Sequence, residues 1–173
     1  MKVGGQRGRH LLAASLAAVV GLSVGLDKSV ASARPIVRSA LRIGDSVALK
    51  SYDEYVRVTL LSLQNPARGA NDIGTPSPGL KYVSISLRIV NLSRERYNDS
   101  PSNGARIIST ARAVYLITLP GKEPNLDEMA AIPPGGAHIG WITFQIPVKA
   151  RLWKFRFNLD SGFVAQRAEW LLR

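Results

Sequence analysis

Along most of this chain apolar and polar residues alternate in short runs, and clusters of Pro, Gly, Asn, Asp and Ser separate the runs. A period of two predicts half-buried strands, because successive side chains on an extended backbone point to opposite faces. The clearest run is 80–93, LKYVSISLRIVNLS. Val83, Ile85, Leu87 and Ile89 fall on one face, with Ser84, Ser86 and Arg88 on the other. Residues 46–52 predict a shorter first strand. In 55–66, Val56, Val58 and Leu60 share a face, the phase slips at Leu61, and Leu63 continues the new phase until Pro66 ends the run. A slip of one position predicts a bulge or a strand that changes sheets. Further runs occupy 105–110, 113–119, 137–147, 151–159 and 164–172. Between them, 67–79, 94–104 and 120–136 carry the composition of loops, with one helical turn predicted at Leu126 to Ala130.

Seven or eight short strands with little helix predict a single antiparallel β-sandwich. No repeat period or second-domain boundary interrupts 43–173, and 34–42 has no clear period and reads as an extended leader. The stretch 151–157, RLWKFRF, illustrates the period. Strict alternation puts Trp153, Phe155 and Phe157 on the core face, and Leu152, Lys154 and Arg156 on the outer face. That separation argues against a nucleic-acid stacking strip, which needs aromatics open to bases with cations beside them. Trp170 is expected to close the core.

The first 33 residues follow a different logic. Lys2, Arg7 and Arg9 precede an uncharged apolar run of 16 residues, Leu11 to Leu26, and Ala31-Ser32-Ala33 ends the segment. A basic start, apolar middle and small-x-small end predict a secretory signal peptide cut between Ala33 and Arg34. Gly8 separates Arg7 from Arg9, which argues against a twin-arginine signal. The alternative is an uncleaved N-terminal anchor, although the run falls short of the roughly 20 residues of a spanning helix. The predicted location is therefore secreted, without a stable membrane span once the signal is cleaved.

The formal net charge is +11. Cleavage would remove Lys2, Arg7, Arg9 and Lys28 with one acid, Asp27, leaving 19 basic and 11 acidic side chains and a net of +8. Such an excess favours anionic surfaces.

Several stretches resemble a known family. TPSPGLKYVSISLRIVNLS (75–93) is similar to the proline-glycine lead-in and central strand of a bacterial secreted immunoglobulin-like domain of unknown function. YNDSPSNGARI (97–107) resembles its polar loop, PPGGAHIGWITFQIP (133–147) its Gly-Trp-x-x-Phe-x-x-Pro strand, and EWLL (169–172) its closing strand. That family is related to the immunoprotective extracellular antigens, and some members carry the label telomeric repeat-binding factor. The resemblance spans most of 43–172 and implies an immunoglobulin-like sandwich. It carries over no catalytic residue. Two features depart from the family pattern: this chain has no N-terminal lipoprotein cysteine, and it has TARA (110–113) where many members have an Asp-Gly turn.

Little chemistry is readable in the sequence. The chain has no cysteine, so disulfides, thiol nucleophiles and thiolate metal sites are excluded. After the signal segment the only histidine is His138, which could act as a base only if a serine and a carboxylate converge on it. Asn98, Asp99 and Asn103, like Asp127 and Glu128, lack calcium-loop spacing and read as turn residues. Adjacent Asp53 and Glu54 point to opposite faces if extended. No phosphate-binding glycine loop is present. No metal and no cofactor are expected.

Trp141 shares a strand with Ile142, Phe144 and Ile146 but lies on the opposite face, either exposed or covered by another segment. It joins Lys154 and Arg156 as a candidate binding residue. The leading expectation is a secreted, non-catalytic binding or structural module at or outside the bacterial envelope. Its partner would be a protein or an anionic envelope polymer, and not nucleic acid. The alternative is a secreted hydrolase with an unrecognised site near His138.

Overall fold

A computed structural model describes residues 40–173 apart from 53, 68–73, 120, 129–130 and 164–165. The predicted signal segment, the Ala33–Arg34 cleavage point and most of the leader lie outside the described residues. Eight strands are described: β1 (Ser46–Lys50), β2 (Tyr55–Gln64), β3 (Leu80–Asn91), β4 (Ala105–Ser109), β5 (Val114–Tyr115), β6 (Ala137–Pro147), β7 (Leu152–Asn158) and β8 (Arg167–Leu171). They pair antiparallel in two sheets, ordered β1-β2-β3-β6 and β5-β4-β7-β8. The chain changes sheets after β3, after β5 and again after β6. Consecutive strands β3 and β4 therefore lie in different sheets, as in the immunoglobulin-like arrangement of a β-sandwich.

The alternation supplies the core. Val56, Val58, Leu60, Val83, Ile85, Leu87 and Ile89 from the first sheet are fully enclosed. They meet Ile107, Phe155, Phe157 and Trp170 from the second. Phe155 packs edge-on against Phe144 with centroids 6.4 Å apart, and lies tilted by 37° against Trp170 at 5.8 Å. The Trp170 indole N–H donates to the Asp45 carbonyl at 3.0 Å, so its one polar group is satisfied inside the core.

The phase slip in β2 is a bulge, with the register shifting between Leu60 and Ser62 and leaving Leu61 exposed. Two other details add to the sequence pattern. Ser84 and Ser86, on the nominally polar face of β3, are buried, and the Ser84 hydroxyl shares a hydrogen bond with Thr143 at 2.9 Å. The β4–β5 hairpin forms without an Asp-Gly turn, because Arg112 itself adopts the left-handed conformation at φ 66°.

A second bulge corrects the reading of RLWKFRF. Ile108 pairs with Lys154, but the next residue, Ser109, pairs with Leu152, so Trp153 has no partner in the register. The extra residue resets the phase. Leu152 turns into the core, and Trp153 leaves it to stand half-buried on the outer face beside Lys154. Phe155 and Phe157 remain fully enclosed as expected.

The described end of the leader belongs to the sheet structure. Leu41 makes a parallel bridge to Trp170, and its carbonyl accepts the Leu171 N–H at 2.7 Å.

Candidate functional site

Strand pairing assembles a row of charge on the outer face of β4, β7 and β8. Arg106 lies directly across from Arg156, and Arg156 directly across from Glu169. Two like charges side by side are unfavourable on a sheet, and Glu169 offsets them. Its Oε1 accepts from Arg156 Nε at 2.9 Å and lies 2.8 Å from Nη2, while Oε2 accepts from Lys154 Nζ at 2.7 Å. Arg167 approaches more loosely, at 3.9 Å. Arg106 turns toward its own strand and donates to the carbonyls of Asn103 and Ala105 at 2.6 and 2.7 Å.

Trp153 completes the face. The guanidinium of Arg112 lies 4.0 Å from the indole centroid and the ammonium of Lys154 lies 4.2 Å from it, both within cation–π range. A shallow cavity of about 280 Å³ opens alongside, with Ile108, Val114 and Trp153 as its apolar lining and Arg112, Lys154, Arg156 and Glu169 as its charged lining. A smaller hollow of about 170 Å³ adjoins Thr110, Arg112, Trp153 and Arg173. Five cations (Arg106, Arg112, Lys154, Arg156 and Arg167) thus share this face with the Glu169 carboxylate, and three of them, Lys154, Arg156 and Arg167, contact it.

Partial burial works to raise the Glu169 pKa, but hydrogen bonds from Lys154 and Arg156 outweigh it and hold the carboxyl below the usual range. A depressed folded-state pKa contributes stability above the unfolded value, and that contribution fades as pH falls through the folded value. Glu169→Gln is therefore expected to be less stable than wild type at neutral pH, by about 1 kcal/mol or less for so accessible a group. The gap should close as pH drops below about 4.3, the ordinary glutamate value. Thermal unfolding of both proteins from pH 7 to pH 3 measures it, and a gap independent of pH would show that the carboxylate charge contributes nothing.

The three sequence candidates do not converge. Lys154 and Arg156 share the face just described, whereas Trp141 lies on the other sheet, half-buried beneath its own chain. Lys122 Nζ sits 4.1 Å from the Trp141 centroid while donating to Gln64 at 2.7 Å, and the Trp141 backbone N–H donates to the Pro124 carbonyl at 2.8 Å. Arg106, Arg112 and Glu169 were not singled out from the sequence and Trp153 was assigned to the core, since strand register and a bulge bring the four onto one face. Trp153 also removes part of the argument against nucleic acid, because one aromatic does share a face with Lys154 and Arg156.

His138 lies opposite Ile89 on the core-facing row of β6, half-buried at one end of the sandwich. Its Nε2 is enclosed and makes no hydrogen bond, so no serine hydroxyl is poised on that nitrogen. The loop acids Asp99 and Asp127 are engaged in contacts between loops. Asp99 accepts from the Tyr97 hydroxyl at 3.1 Å, from the Ser100 N–H at 2.7 Å and from the Ser161 N–H at 3.1 Å. Asp127 accepts from the Ser102 N–H at 3.0 Å and from the Ser102 hydroxyl. Burial first, and then the charges of Asp99 and Glu54, push the Tyr97 pKa up, so this phenol stays neutral and acts as a donor. Among the described residues no three of His, Asp or Glu are grouped to hold a metal ion. No helix of the described residues is long and apolar enough to cross a membrane.

The architecture defines an immunoglobulin-like β-sandwich with a cationic sheet face. No family model and no curated protein matches the chain. Among solved structures it is similar to MPT63, a secreted protein from Mycobacterium tuberculosis, at 15% identity and a TM-score of 0.59 over 81% of this chain and 99% of that one. It is also similar to an uncharacterized β-sandwich protein from Clostridium difficile 630, at 12% identity and a TM-score of 0.50 over 78% of this chain and 95% of that one. At such identities the likeness is one of fold, and the resemblance read from the sequence patterns reaches that far.

Proposed function

We propose that this chain is an exported, non-catalytic immunoglobulin-like module that acts at or outside a bacterial cell envelope and docks an anionic envelope polymer. The docking surface is the outer face of β4, β7 and β8. The observation that carries the reading is the excess of cation there: Arg106, Arg112, Lys154, Arg156 and Arg167 share the face with the Glu169 carboxylate, which Lys154, Arg156 and Arg167 contact. A sheet face that sets charged side chains on neighbouring strands about 5 Å apart suits an extended polymer better than a compact ligand. Export rests on the signal-like segment ending at Ala33. The fold likeness to a protein described as secreted agrees with it. The non-catalytic reading rests on the isolation of His138 Nε2 and on carboxylates already engaged in loop contacts.

Two measurements test the proposal. Fractionation of expressing cells should place the protein outside the cytoplasm, with a mass that begins at Arg34; a cytoplasmic protein would overturn the export reading. The purified protein should bind polygalacturonate or inorganic polyphosphate at low salt, and the binding should weaken as ionic strength rises. The double variant Arg112→Ala/Arg156→Ala should lose at least tenfold in affinity, whereas Lys122→Ala, on the other sheet, should bind as wild type does. Failure to bind either polymer would overturn the docking reading.

A further inference from the structure

The Glu169 carboxylate sits where a ligand's carboxylate would be expected to sit. Both of its oxygens are taken up, one by the Arg156 guanidinium at 2.8–2.9 Å and the other by Lys154 at 2.7 Å. A guanidinium and an ammonium placed on the two oxygens of a planar anion form a carboxylate receptor, and here the protein fills it with its own side chain. The seat opens directly onto the cavity of about 280 Å³ beside Trp153. That volume is at the small end of ligand sites, which begin near 300 Å³, so it suits one residue of a polymer rather than a large free ligand.

The lining narrows the chemistry. Ile108, Val114 and Trp153 give the cavity an apolar floor, and Val114 is 53% exposed. A pyranose ring has an apolar C–H face to lay on such a floor, while a carboxylate on the same ring reaches the cations. An inorganic polyphosphate chain brings charge with no flat apolar face to match the floor. An acidic peptide brings carboxylates on flexible stems, which must be immobilised at an entropic cost on binding. Arg106, Arg112 and Arg167 flank the seat and do not take part in the close pairs with Glu169, so they are placed for the carboxylates of neighbouring sugar residues.

We infer that the outer face of β4, β7 and β8 is a site for a carboxylated, uronate-type glycan, and that Glu169 is an internal competitor which a uronate carboxylate displaces from Lys154 and Arg156. The inference rests on the docking reading above and adds to it the ligand class and the residue that sets its affinity.

Isothermal titration with oligogalacturonate tests it on the wild type and on Glu169→Gln. The variant removes the competing charge and should bind at least tenfold more tightly. Wild type should prefer oligogalacturonate to inorganic polyphosphate, poly-L-glutamate and single-stranded DNA. A second readout avoids substitution altogether: the carboxyl carbon resonance of Glu169 in wild type should titrate below the usual glutamate range in the free protein and move back toward it when the site is saturated with oligogalacturonate. Tighter binding of any of the other three polyanions would overturn the glycan assignment. Binding of oligogalacturonate with an unmoved Glu169 resonance, or with a folded Glu169→Gln that binds no more tightly, would overturn the competitor role while leaving the docking face intact. Absence of binding to every probe by wild type and variant alike would instead remove the docking reading on which the inference rests.

Discussion

Replacing Phe155 by alanine is expected to lower folding stability by about 3–5 kcal/mol, the range for losing a large aromatic from a closed core. Phe155 is fully enclosed and lies between Phe144 and Trp170, one from each sheet. Its removal leaves a cavity that neither sheet can close without giving up its own pairing. Trp153→Ala, two positions away and larger by volume, is expected to cost far less. Trp153 stands half-buried outside the core, and what it loses is contact with Arg112 and Lys154, each worth about 0.5–1 kcal/mol at an accessible site. Urea unfolding of the two variants side by side measures the difference. Equal losses would put Trp153 back in the core and remove the bulge on which the binding face depends. If the docking reading holds, the order reverses for ligand affinity: Trp153→Ala weakens binding, while a folded Phe155 variant retains it.

The second large effect is expected at Gly104. A β-carbon built there meets the Asn158 carbonyl oxygen well inside contact distance, and the Asn158 carbonyl carbon at 3.1 Å. Both are backbone atoms at the end of β7, so no side chain can rotate away. Gly104→Ala should therefore destabilise by about 3 kcal/mol, the upper part of the range for overpacking, even though an unstrained glycine-to-alanine change commonly stabilises by limiting the unfolded chain. Thermal unfolding decides between the two directions. An alanine variant as stable as wild type would show that the turn at Pro101–Gly104 is free to draw away from β7.

Much of the fold was legible because burial on one face imposes the period of two. The slip at Leu61 was also legible: it interrupts a long strand, so the shift of phase leaves apolar residues on both sides of the break. The bulge at Trp153 left no such trace. It falls at the first turn of the pleat in β7, where Leu152 and Trp153 are both apolar and either one can satisfy the core. Local pattern therefore gave the right strand with the wrong residue inward at its start. The buried serines Ser84 and Ser86 were hidden for a different reason. Thr143 and Trp141 flank them on the neighbouring strand, the Lys122 segment lies over that face, and nothing in the alternation of β3 announces what will cover it.

The candidate site divides along the same line. Lys154 and Arg156 were visible because they are two apart on one strand and must share a face. Glu169, Arg106 and Arg112 are distant in sequence, and only the strand register brings them within reach. Trp141 was identified as an outward-facing tryptophan, but a local pattern cannot tell an open outer face from one roofed by the loop carrying Lys122 and Pro124.

The bridge between Leu41 and Trp170 has a consequence for self-association. β8 is the last strand of its sheet, and the free side of such a strand offers unpaired amides that another chain can extend. Leu41 takes up the Leu171 N–H there, acting as a short selvedge along the border of the sheet. Export processing at Ala33 would leave this selvedge in place, since Leu41 lies downstream of Arg34. A chain begun at Ile43 would keep every strand yet lose it. Such a chain should form dimers or larger species through β8 at concentrations where the longer chain is monomeric, a difference that light scattering reads directly.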